Sequence, residues 1–79
     1  MNREEVVSNI LDFAAMAYSR DVSELSEDTR IKEDLGGTSI LLVSLVSNIE
    51  NELDVMLSLS DAGACKTLGE IADKVLEEM

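Results

Sequence analysis

Apolar residues recur at helical spacing along most of this chain, with one long interruption. Val6, Ile10, Phe13, Ala14 and Ala17 form a stripe that predicts an amphipathic helix over residues 3–18. Asn2 followed by Glu5 is a capping box with Asn in place of Ser or Thr, so the helix has a marked start. From 19 to 38 the period is lost and Ser, Asp, Glu and Gly accumulate. Val22, Leu25, Ile31 and Leu35 are the expected anchors of this long loop, and loops of such length usually serve a function. The period resumes over Ser39–Leu53, where Leu42, Val46, Ile49 and Leu53 share a face that Val43 and Leu45 widen. Ile40, Leu41, Ser44, Ser47, Asn48 and Asn51 fall on the opposite face.

After Leu53 the string Asp54-Val55-Met56-Leu57-Ser58 breaks the pattern. A short third helix is expected over Ser58–Cys65, capped by Ser58 or Ser60, although Gly63 inside it lowers helix stability by roughly 1 kcal/mol relative to Ala. Thr67-Leu68-Gly69-Glu70 reads as a second capping box, and Leu68, Ile71, Ala72, Val75 and Leu76 supply the buried face of a last helix. The pattern predicts an all-α fold, a small antiparallel four-helix bundle of three main helices and one short one.

Composition narrows the functional classes. The 79 residues include no Pro or Trp, one Phe and one Tyr, so a single domain over 1–79 held by aliphatic packing is expected. There is no His, and the lone Cys65 supplies neither an intramolecular disulfide nor a metal cluster, so catalytic chemistry by the chain itself is not expected. Cys65 is read as a buried, aliphatic-like residue rather than a redox centre. Met16 and Met56 are read as gap fillers, Met56 also as a lining for an attached acyl chain. No segment is long and apolar enough to span a membrane, and Met1-Asn2-Arg3-Glu4-Glu5 lacks the regions of a secretion signal, which points to the cytoplasm. A net charge of −11 argues against nucleic acid or an anionic membrane as partner and favours basic protein surfaces, though solubility alone also explains it. Calcium binding fails on register: an EF-hand loop begun at Asp21 would place Leu25 at a ligand position and Ser26 where glycine is needed.

Candidate chemistry lies at the second helix start, in Glu33-Asp34-Leu35-Gly36-Gly37-Thr38-Ser39-Ile40. Two glycines free the backbone to turn, Thr38 or Ser39 can cap the helix, and the helix start favours an anion such as a phosphodiester on Ser39. This string, with the helical pattern around it, resembles the acyl carrier proteins, whose motif typically reads Glu-Asp-Leu-Gly-x-Asp-Ser-Leu. The resemblance implies that Ser39 receives a 4′-phosphopantetheine arm from coenzyme A, that the chain is not an enzyme, and that acyl groups are held as thioesters on the arm. The Leu-Gly-Gly-x-Ser-Ile form is also similar to peptidyl carrier domains. Thr38, Leu41 and Ser44 stand where the fatty-acid carriers usually have acids, so a dedicated lipid, polyketide or related pathway is expected. Thr38, Ile40, Leu41 and Ser44 are the expected partner contacts. The implied partners are a phosphopantetheinyl transferase (holo-carrier synthase) and acyl- or aminoacyl-loading and acyl-transfer enzymes, met by a monomer. The alternatives are a peptidyl or aminoacyl carrier and an unmodified acidic helical interaction module.

Overall fold

A computed structural model describes residues 1–36 and 39–79. Four α-helices follow one another as α1 (Arg3–Tyr18), α2 (Ser39–Leu53), α3 (Leu59–Ala64) and α4 (Leu68–Glu78). A 3₁₀ turn (Val22–Glu24) and a π-helical turn (Ile31–Leu35) lie in the connection before α2. Helix α1 packs against α2 and α4, while α3 joins α2 to α4, which gives the expected all-α four-helix bundle. No helix among the described residues is long and apolar enough to cross a membrane.

Helix ends follow from local chemistry. Asn2 accepts the Glu5 N–H at 2.9 Å while the Glu5 carboxylate accepts the Asn2 N–H at 3.4 Å, completing the capping box that starts α1. The helix ends on Ser19 in the left-handed conformation. Ser58, not Ser60, caps α3 by accepting the Asp61 N–H at 3.0 Å. Thr67 accepts the Glu70 N–H at 3.2 Å, and its hydroxyl sits 3.3 Å from the Glu70 carboxylate. In α4 the Thr67–Glu70 pair therefore closes side chain to side chain.

One core fills the bundle. Val6, Ile10, Leu45, Ile49, Leu68, Ile71 and Val75 are its largest fully enclosed side chains. Ile31 and Leu35 anchor the long connection as expected, Leu25 is half-buried, and Val22 is exposed because the 3₁₀ turn carries no buried residue. Several placements differ from helical spacing. Leu41, expected on the outer face, is half-buried and packs against the core, while Val43, expected to widen the buried stripe, is exposed. Leu45 rather than Leu42 lies at the centre of the α2 face, so the buried stripe is rotated toward Leu41.

Met16 and Met56 fill no gap: both are exposed, Met56 at 79 %. Met56 lies in the irregular link from α2 to α3, where burial alternates as along a strand, with Val55 and Leu57 inward and Met56 and Ser58 outward. The Leu57 N–H reaches the Glu50 carboxylate at 3.3 Å, which ties this link back to α2.

Candidate functional site

The approach to α2 is held from three sides. Asp34 folds its carboxylate back onto the Arg30 N–H at 2.8 Å, which closes the turn on itself. The Arg20 guanidinium donates to the carbonyls of Asp34 (3.3 Å) and Leu35 (3.2 Å), satisfying the end of that turn from the far side of the loop. The Ile31 N–H donates to the Lys66 carbonyl at 2.9 Å, and the Leu68 N–H to the Thr29 carbonyl at 3.1 Å. An isolated bridge between Arg30 and Thr67 thus hangs the loop from the start of α4. With Ile31 and Leu35 sunk in the core, the chain leaves the turn through Gly36 at φ 63°, ψ −145°, a conformation open essentially to glycine alone.

Ser39 is the first residue of α2 and is exposed. It borders a cleft of about 220 Å³ that reaches down between α2 and α3 to Tyr18, Ile31, Leu42, Ala62 and Gly63. From Ser39 to Ile49 the helix carries no charged residue, so the acid-rich composition does not extend to its first three turns. Lys32 borders the same cleft.

Of the expected contact residues, Ile40 is 74 % exposed and Ser44 is exposed, whereas Leu41 is turned into the bundle. Thr38 lies outside the described residues, as does Gly37. Val43 lies one turn beyond Ile40 on α2, and Leu59 opens α3; both are exposed aliphatics that helical spacing did not single out. Gly63 was legible only as a weak helix residue, yet it forms part of the cleft wall.

Cys65 also borders the cleft, and its thiol donates to the Asp61 carbonyl at 3.3 Å. Burial pushes the thiol pKa up, the carboxylates of Glu70, Asp61 and Asp73 add to the rise, and Lys74 opposes it. The thiol stays protonated and packs as expected, since the thiolate is the nucleophilic form. Burial likewise raises the Tyr18 phenol at the cleft floor. No group of three or more potential metal ligands occurs among the described residues.

The sequence model of the family described as "Phosphopantetheine attachment site" matches residues 8–75. An acyl carrier protein of Thermotoga maritima is 28% identical over 78 residues, covering 99% of this chain and 96% of the relative. One from Rubrobacter xylanophilus is 30% identical over 77 residues, covering 98% and 95%. A third, from an Exiguobacterium species, is 27% identical over 71 residues, covering 90% of each. With the family match spanning most of an all-α bundle and these relatives aligned over nearly their whole length, the chain belongs to the acyl carrier proteins, the family that carries phosphopantetheine.

Proposed function

We propose that Ser39 is the residue that bears 4′-phosphopantetheine, and that the chain, as one domain over residues 1–79, presents acyl thioesters on that arm to partner enzymes. The observation that carries this reading is the position of Ser39: an exposed hydroxyl on the first residue of a fifteen-residue helix, at the rim of a cleft. The residues suit the group. A helix's opening turn has N–H groups without intrahelical partners and so favours a phosphodiester there, and Gly36 before α2 has no side chain to obstruct an approaching enzyme. The arm supplies a terminal thiol on which cargo is held; the chain is a carrier and not an enzyme.

The partners inferred are a phosphopantetheinyl transferase and the enzymes that load and unload the arm. They meet an outer face of α2 that offers Ile40, Val43 and Ser44 to solvent and no carboxylate before Glu50. Apolar contact is therefore favoured over ion pairing near Ser39, which supports a dedicated pathway over the general fatty-acid enzymes. Small, reversible contacts suit a carrier that must leave one enzyme for the next.

Incubating the protein with coenzyme A and a broad-specificity transferase, followed by intact mass and peptide fragmentation, tests the assignment. One adduct, on Ser39, is expected, and Ser39→Ala should lose it entirely while keeping its helical spectrum and Tm. An adduct on another serine, or none where a control carrier is modified, refutes the assignment. Loading of the arm by an adenylating enzyme with an amino acid, in preference to acyl transfer, would select the peptidyl or aminoacyl carrier within the same family.

A further inference from the structure

The cleft beside Ser39 does not end at α3. A second hollow of about 630 Å³ shares Lys32, Gly63 and Cys65 with it and is bounded beyond them by Arg30, Glu33 and Lys66. The two adjoin along Lys32, Gly63 and Cys65, with Ser39 bordering the first hollow and Arg30 and Lys66 the second. A Cβ built on Gly63 would meet nothing within 4 Å, so no side chain crowds this point.

Charge is distributed unevenly around the two hollows. Only six of the 79 residues are basic against seventeen acidic, yet Arg30, Lys32 and Lys66 all border the second. Glu33 is the acid in that wall, and Arg30 occupies it at 3.1 Å while also reaching Asp34 at 3.7 Å. Neither Lys32 nor Lys66 has a carboxylate within 4.0 Å among the described residues. Exposed lysines are ordinarily just solvated. These two differ in standing unpaired, in an acid-rich chain, beside the hollow that adjoins the serine's cleft.

We infer that the two hollows serve as one groove for acyl cargo that ends in a carboxylate, with the chain lying past Gly63 and its anionic end met by the ammonium groups of Lys32 and Lys66. This rests on Ser39 bearing the arm. A cargo with a neutral end would gain the apolar part of the groove and leave the cations to water.

The transferase offers a direct test, because it can install a preloaded arm from an acyl-coenzyme A. Glutaryl-coenzyme A and valeryl-coenzyme A give five-carbon cargoes that differ at the distal end alone. The phosphodiester is common to both products, so any contact it makes with Lys32 cancels in the comparison. Lys32 and Lys66 side-chain resonances should shift in the glutaryl form relative to the valeryl form. With each rate divided by that of the same acyl-coenzyme A free in solution, hydroxylamine should also cleave the glutaryl thioester more slowly, by roughly two- to fivefold, the scale of exposed ion pairs.

The cleavage difference should vanish in the Lys32→Ala/Lys66→Ala variant. That variant should keep its Tm, since the side chains are exposed and the Lys66 carbonyl bond to Ile31 belongs to the backbone. Equal shifts and equal normalised cleavage rates for the two cargoes, or a normalised cleavage difference that persists in the double variant, overturn the inference while an adduct mapped to Ser39 leaves the carrier assignment standing. Failure of Ser39 to accept the arm overturns both.

Discussion

Helices α1 and α4 pack on each other and enclose Val6, Ile10, Ile71 and Val75 completely, while the edge between α2 and α3 leaves Ile40, Val43 and Leu59 in solvent beside an open cleft. Both regions are aliphatic, so composition does not separate them. Their surroundings do. Arg3 joins α1 to Asp73 of α4 at 2.9 Å and to Glu27 of the loop at 3.1 Å, and the Gly69 N–H donates to the Glu27 carbonyl at 2.9 Å, so helix, loop and helix start are laced together. At the other edge α3 is only six residues long and covers little of α2. The short α3 leaves the cleft beside Ser39 open, while the laced half encloses the core.

The sharpest way to break this contrast is to truncate the same residue type in each region. Ile71→Ala, in the sealed half, should lose about 2–5 kcal/mol in denaturant unfolding, a large share of what a domain of this size possesses. Ile40→Ala, at 74 % exposure, should stay within about 0.5 kcal/mol of the parent and instead slow arm transfer by the transferase. Comparable losses of stability in the two variants would abolish the distinction.

The helical glycines sharpen it further. A Cβ on Gly69 would lie 2.9 Å from the Glu27 carbonyl oxygen, a backbone atom that cannot move aside cheaply. Gly69→Ala should therefore destabilise by about 1–3 kcal/mol in spite of alanine's better helix propensity. Gly63→Ala meets open space and should stabilise by up to about 1 kcal/mol. The same methyl would stand in the groove, so acyl-dependent protection of the thioester should decrease as stability increases. Opposite signs for the two substitutions in thermal unfolding are the expected result.

The smallest effect concerns the Cys65 thiol. Its folded pKa is raised, chiefly by burial, so the unfolded chain releases this proton first as pH rises. Stability should fall once the pH passes the ordinary thiol value of about 8.5 and stop falling beyond the folded one. Cys65→Ala should flatten that part of the pH–stability curve, and an unchanged slope would show the thiol to be indifferent to its surroundings.

Much of the bundle was legible from the chain because its signals are local. Asn2 with Glu5 and Thr67 with Glu70 each act across three residues, and the apolar period of α1 and α2 is set within single helices, so those boundaries could be read directly, whereas the α3 cap stayed open between Ser58 and Ser60 until the Asp61 bond selected Ser58. The serine at the head of α2 was legible for the same reason, as a motif contiguous in sequence. Tyr18, Val55 and Leu57 were not, because their burial depends on which neighbour happens to cover them. Periodicity likewise located the α2 stripe but misjudged its rotation: Leu41 and Val43 exchange roles according to where α1 and α3 lie against the helix. The groove belongs wholly to this second kind. Ser39, Lys32, Gly63 and Lys66 are scattered along the chain, and they come to line two adjoining hollows through the Thr29–Ile31 and Lys66–Leu68 hydrogen bonds and the packing of a short α3, contacts that no local pattern encodes.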